Sequence, residues 1–179
     1  MKIALIYGYA EGPRIAATFI SSLRRLGHEL VDASDAEVIV AHSGGSYLIP
    51  NKNNAKLILL VDVPYYDSHT SLMKKLYKRV TEEGWSLKSI SKFGWNNWYV
   101  VSKPKRCFQM YKAVIDGTFQ GLDGNKVVFV RNTKDIFGVV AQDKKEAKKI
   151  KGKVEELPGI HDDLWIHPEP YIKLAEKIL

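Results

Sequence analysis

Three residues of this chain have the types and the spacing to share one reaction. Ser43 sits in Ala41-His42-Ser43-Gly44-Gly45, directly after the apolar run Ala36-Glu37-Val38-Ile39-Val40. A short buried strand ending in a sharp turn presents a serine at its tip with the hydroxyl free, which is the geometry of a nucleophile elbow. The turn needs small residues two before and two after the serine, and Ala41 and Gly45 are small. A serine hydroxyl is a weak nucleophile until a base takes its proton. A histidine can be that base and then the acid that protonates the leaving group. An aspartate can fix the imidazole tautomer and stabilise the imidazolium. His161 follows the short strand candidate Val154-Glu155-Glu156-Leu157, and Asp135 follows the β-branched run Lys126-Val127-Val128-Phe129-Val130. Rivals stay open: Asp62 for the acid, and His42, His69 and His167 for the base. Ser43 also has a plainer reading as a turn serine that caps the next helix.

These residues need elements to position them. Ile3 to Tyr7 is a continuous apolar run ended by Gly8, the mark of a buried parallel strand. Pro13 suits a first helical turn, and Ile15, Phe19, Ile20, Leu23 and Leu26 share one face of a helix over 14–26 that Gly27 stops. Residues 28–31 form a possible short strand. Only Asp32 to Asp35 separates it from the strand leading to Ser43, a short connection for a crossover. A brief helix over 46–49 gives way at Pro50, and Leu57 to Val61 is the next buried strand. Helices over 71–81, 106–115, 144–150 and 171–179 and strands over 126–130 and 154–157 complete the pattern. The alternation predicts a single α/β domain over 1–179, an open, mostly parallel sheet with helices on both faces. Ser43, Asp135 and His161 then each lie just past the C-terminal end of a strand, the edge where such sheets do chemistry.

In that order, and on those motifs, the chain resembles the α/β-hydrolase superfamily. Ala41-His42-Ser43-Gly44-Gly45 matches its elbow, with Ala41 in place of the usual first glycine. Asn132-Thr133-Lys134-Asp135 is similar to its acid loop and Leu157-Pro158-Gly159-Ile160-His161 to its histidine loop. Tyr7-Gly8-Tyr9 lies where its oxyanion loop begins. The compact size and His161-Asp162-Asp163-Leu164-Trp165 resemble the small serine hydrolases of the group that includes retinoblastoma-binding protein 9. The resemblance implies a minimal version of the fold, lacking two N-terminal strands. It also implies Ser43 as nucleophile, His161 as general base and acid, Asp135 as its orienting acid, and an oxyanion hole of the Gly44 N–H with that of Tyr9 or Ala10. The implied activity is cleavage of a carboxylic ester or thioester, with no cofactor and no metal.

Residues 65–117 interrupt the sheet pattern where that family inserts a cap. They hold ten lysines and arginines against four acids, which accounts for most of the net charge of +7, and three of the four tryptophans. Tyr66, Trp95 and Trp98 are the candidates for lining a substrate pocket. A basic, aromatic cap suits a small anionic ester or an anionic membrane surface. Stacking on single-stranded nucleic acid is a weaker reading, because no RNA-binding motif is present. Two other functions fit the same chain: a non-catalytic binding module whose working surface is the cap, and a Rossmann-type nucleotide- or sugar-phosphate-binding enzyme. Gly8-Tyr9-Ala10-Glu11-Gly12 has the wrong spacing for a phosphate loop, which counts against the second. The one cysteine, Cys107, allows no internal disulfide. The apolar run at the N-terminus is too short for a signal-peptide core, so the expected address is cytoplasmic.

Overall fold

The computed structural model describes residues 1–8, 11–65, 74, 101–122 and 124–179. Six strands form one sheet: β1 (Lys2–Ile6), β2 (Glu29–Leu30), β3 (Val38–His42), β4 (Leu57–Val61), β5 (Lys126–Asn132) and β6 (Lys153–Leu157). Their order is β2-β1-β3-β4-β5-β6, and every pairing is parallel. The strand order reverses between β1 and β3. The crevice at such a switch point is where an open α/β sheet receives a ligand, and Ser43 follows β3 there.

Alternation along the strands builds two cores. Val38, Val40, Leu57, Leu59, Val128 and Val130 face one way. They pack with Phe19 and Leu23 of α1 (Ala17–Arg25), with Leu164 and Trp165 of the short α4 (Asp163–Ile166), and with Tyr171, Ile172 and Ala175 of α5 (Glu169–Ile178). Ile39, Ala41, Ile58, Leu60, Val127 and Phe129 face the other way. They pack with Met110 and Val114 of α2 (Pro104–Asp116) and Ala147 of α3 (Val140–Lys149). A strand buried on both faces is apolar along its length, which is why β3 as far as Ala41 and all of β4 are continuous apolar runs. Truncating a fully buried Leu59 or Leu60 to alanine typically costs about 2–5 kcal/mol.

The connection that looked too short is explained by register. Ile3 pairs with Leu30 on one side and with Val38 on the other. β2 ends at the level where β3 begins, so the chain crosses β1 without a return helix. A turn closed by Asp35 N–H on the Asp32 carbonyl makes the crossing, and Glu37 N–H bonds the Lys2 carbonyl.

Several boundaries differ from expectation. Helix α1 starts at Ala17, because residues 13–16 form turns. The expected helix over 46–49 is a 3-10 helix over Ser43–Tyr47 that begins at the serine itself. Strand β5 runs to Asn132, which draws Arg131 and Asn132 into the buried sheet edge. Of the expected cap over 65–117, the described part is Tyr65, Lys74 and 101–117, in which α2 covers one face of the sheet. Tyr66, Trp95, Trp98, Tyr9 and Ala10 lie outside the described residues. Among the described residues no helix is long and apolar enough to cross a membrane.

Candidate active site

Strand β3 delivers Ser43 into a left-handed conformation at φ +52°, rare for a residue with a side chain. The turn it enters is closely packed. A Cβ on Gly45 would lie 2.6 Å from the carbonyl oxygens of both Ile6 and Tyr7. One on Gly44 would lie 3.0 Å from Met110 Cγ. The turn is thus pressed between the end of β1 and helix α2, and the requirement for a small residue two after the serine has its physical cause. The residue at the cap position of the 3-10 helix is His42, and Ser43 is that helix's first residue. The Ser43 hydroxyl lies 3.0 Å from Nε2 of His161.

His161 comes from the loop after β6. Backbone bonds sew that loop to the one after β5: Thr133 N–H to the Leu157 carbonyl at 2.9 Å and Lys134 N–H to the Gly159 carbonyl at 2.8 Å. The second loop carries Asp135, whose Oδ1 accepts from His161 Nδ1 at 3.0 Å and from Phe137 N–H at 2.9 Å. The ring of His161 lies between those of Phe137 and His42, with centroids 4.6 and 4.8 Å away. The structure therefore brings Ser43, His161 and Asp135 into one chain of hydrogen bonds.

The rivals have other partners. Asp62 is fully buried, at φ +50° just past β4, and its oxygens accept from the Asn132 N–H and side-chain amide. Burial pushes its carboxyl up to about 6; the facing His161 pulls against this and the Asp135 charge adds to it. His42 is fully buried beneath His161, His167 is exposed, and His69 lies outside the described residues.

Four contributors carry no motif. Arg131, only 2% exposed, donates to Asp135 Oδ2, to both oxygens of Asp143 at 2.7 and 2.8 Å, and to the Val63 carbonyl at 2.6 Å. Gly138 leaves room for that guanidinium: a Cβ there would lie 2.5 Å from Nη1. Burial works against ionising Asp135, but the bond to His161 and the Arg131 charge hold its carboxyl below the usual range. Tyr65 donates to Asp143 at 2.8 Å, tying the start of the 65–117 segment to the same cluster. Arg106, from α2, donates to the carbonyls of Tyr7 and Glu11 at 3.0 and 3.1 Å and so ties α2 to both residues. The fourth is Glu11, which binds His42. One sequence signal was available: an arginine in the β-branched run of β5 is a buried charge that demands partners.

Two donor trios, His42–Asp62–His161 and Glu11–His42–Asp162, bring ligand atoms within 4.8 Å of one another. Both ring nitrogens of His42 are already engaged, by Glu11 and by the His161 carbonyl. Neither trio offers that imidazole lone pair to a cation, so the cluster is a hydrogen-bonded polar core. An open groove of about 480 Å³ runs along the end of β1, lined by Leu5, Ile6, Tyr7, Leu48, Arg106 and Gln109.

Strand order alone is shared with flavodoxin-like sheets, so comparison with solved structures separates the two. A hydrolase from Oleispira antarctica superposes with a TM-score of 0.69 at 10% identity, over 97% of this chain and 90% of that one. A structure from work on carboxylesterases of the thaumarchaeon Nitrososphaera gargenis gives 0.65 at 11% identity, over 99% and 89%. The fold is that of the α/β-hydrolases. The enol-lactonase of Burkholderia xenovorans LB400 gives 0.65 at 10% identity, over 98% and 90%. No protein-family model and no curated protein matches the sequence. Within the α/β-hydrolase fold, Ser43 stands on the turn after the strand at the switch point, and Asp135 and His161 stand on the loops after the last two strands.

Proposed function

We propose that this protein is a serine hydrolase that cleaves a small carboxylic ester or thioester through an acyl-enzyme on Ser43. The observation that carries this reading is the relay itself: Ser43 Oγ to His161 Nε2 at 3.0 Å, and His161 Nδ1 to Asp135 Oδ1 at 3.0 Å. A carboxylate on Nδ1 leaves the Nε2 lone pair facing the hydroxyl, the tautomer that a general base requires. His161 would take the Ser43 proton as Oγ attacks the carbonyl carbon, then return it to the departing alkoxide or thiolate. A water activated by the same imidazole would hydrolyse the acyl-enzyme. The N–H of Gly44, with one from Tyr9 or Ala10, would hold the oxyanion. Each such donor is worth about 10²–10³ in turnover. The strained φ of Ser43 supports catalysis over a pure binding role, because backbone strain of this kind concentrates at functional sites.

The finer parts of the proposal rest on the sequence: membership of the small serine hydrolase group, a cap formed by 65–117 with Tyr66, Trp95 and Trp98 at the substrate, and a preference for anionic esters or anionic surfaces. A fluorophosphonate probe tests the core of it. Labelling is expected at Ser43 and absent in Ser43→Ala; no labelling, or labelling that persists in that variant, overturns the reading. Rates on anionic esters that fall as salt rises would support the cap's electrostatic role.

A further inference from the structure

Glu11 and His42 are buried ionisable side chains that none of these steps uses. Glu11 belongs to the loop after β1 and is 7% exposed; His42 ends β3 and is fully buried. His42 Nδ1 lies 2.9 Å from Oε1 and 3.0 Å from Oε2 of Glu11. Its Nε2 lies 2.7 Å from the backbone carbonyl oxygen of His161. A carbonyl oxygen only accepts, so Nε2 carries a proton. The Glu11 oxygens also accept from Gly8 N–H at 2.6 Å and from Trp165 Nε1–H at 3.2 Å. Burial works against ionising Glu11, but the facing His42 holds its carboxyl below the usual range, so Glu11 is the carboxylate and Nδ1 carries a proton too. The ring is an imidazolium bridging two loops.

Those two loops must keep register if the proposed chemistry is to work. Glu11 pins Gly8, where a Cβ would lie 3.0 Å from Ser43 Cβ, and Arg106 ties Tyr7 and Glu11 to α2. His42 fixes the backbone that carries His161. We infer that Glu11 and His42 form a positioning ion pair that sets the oxyanion loop against the His161 loop, and that it does so only while His42 is doubly protonated. The inference rests on the hydrolase reading; neither residue would touch substrate.

The charged groups facing His42 are Glu11 from the β1 loop, Asp62 from the end of β4 and Asp162 from the β6 loop. The rings of His161 and of Trp165 from α4 close the site at 4.8 and 5.2 Å. Burial pushes the imidazolium towards losing its proton, but Glu11 above all, with Asp62 and Asp162, raises its pKa to about 9. Loss of the proton forces a choice. A ring keeping Nε2–H sets a bare Nδ1 against the Glu11 carboxylate, and one keeping Nδ1–H sets a lone pair against the His161 carbonyl. Either choice releases one loop.

The test combines the pH dependence of p-nitrophenyl acetate hydrolysis with histidine ¹⁵N NMR of the intact protein. The wild type should lose kcat on the alkaline side with a midpoint near 9, and both His42 nitrogens should be protonated at neutral pH. His42→Gln keeps an N–H for the His161 carbonyl but cannot titrate. It should be about tenfold slower with KM little changed, the scale of one misplaced hydrogen bond, and should lose that limb. Glu11→Gln removes the counter-ion and should move the limb to lower pH by roughly a unit or more. Variants slowed equally at every pH, with the limb in place, would mean a merely structural pair and overturn the inference. So would a singly protonated His42 in the wild type, a result that needs no variant to fold. If Ser43 proves inert, the hydrolase reading fails by itself. The spectrum then still decides the pair: a doubly protonated His42 whose titration depends on Glu11 sustains it, and any other state overturns it.

Discussion

Arg131 grips Asp135 on the side opposite His161. One guanidinium nitrogen donates to Asp135 Oδ2, while Asp135 Oδ1 accepts the hydrogen bond of His161 Nδ1 at 3.0 Å. The rest of the guanidinium is spent on Asp143 and the Val63 carbonyl. A fully ionised cation thus sits behind the candidate acid and keeps it ionised and oriented.

Arg131→Met should therefore be costly. It leaves the buried carboxylates of Asp135 and Asp143 without their cation, and removing one member of a buried ion pair typically costs about 3–5 kcal/mol. The sign with pH follows from Asp135, whose carboxyl is depressed in the fold. Its stabilisation is complete above the ordinary carboxylate range and is lost as pH falls through the folded value. The variant's deficit in urea denaturation should be largest near neutral pH and shrink in acid, where the stranded carboxylates protonate. Its activity should also fall away at a higher pH on the acid side than the wild type's.

Two aspartates lie near His161, and only one bonds it. Asp135→Asn should cost about 10⁴ in kcat, because an amide can hold the imidazole in the wrong tautomer. Asp62→Asn should cost far less, since Asp62 is committed to Asn132 at 2.8 and 2.5 Å. Steady-state kinetics of the two variants on one ester decides the assignment. Equal losses, or a larger loss at Asp62, would transfer the acid's role.

The parallel α/β sheet and the three residues that meet in the candidate site were legible because they rest on local signals. Continuous apolar runs mark strands buried on both faces, and polar residues just past them mark the sheet's working edge. The residues that support the site carried no such mark. Arg131 bonds Asp143 twelve positions on, and Glu11 meets His42 across 31 positions; neither spacing is a motif, because long-range pairing is a property of the folded sheet. The short connection before β3 misled for a related reason. Its adequacy depends on Ile3 pairing with Leu30 and Val38 at one level, a register no local pattern reveals.

Ser43 holds a left-handed φ of +52°, which glycine adopts without cost. Ser43→Gly should abolish activity and raise stability by about 1 kcal/mol, the scale of strain released at such a position. Gly45→Ala should do the reverse to the fold. Its methyl group would lie 2.6 Å from two backbone carbonyl oxygens that cannot move without shifting β1, and overpacking of this kind costs about 1–3 kcal/mol. Thermal unfolding of the two variants beside the wild type checks both signs. A destabilised Ser43→Gly would mean that the serine's bond to His161 outweighs the strain.

The Glu11–His42 pair predicts how the whole fold responds to alkali. His42 has a folded pKa near 9, above its ordinary value of 6.5. A group whose pKa is raised by folding lends its full stabilisation below the unfolded value and loses it as pH rises through the folded one. The contribution should be complete below about pH 6, decline between about 6.5 and 9, and be gone above that window. Urea midpoints measured from pH 6 to 10 should fall across this window in the wild type. In His42→Gln the slope from this source should vanish, leaving a lower and flatter curve. Glu11 does not confuse the result, because its carboxyl is held below the usual range and stays ionised throughout. A wild-type curve that is flat to pH 10 would show that the His42 proton is not held by the fold.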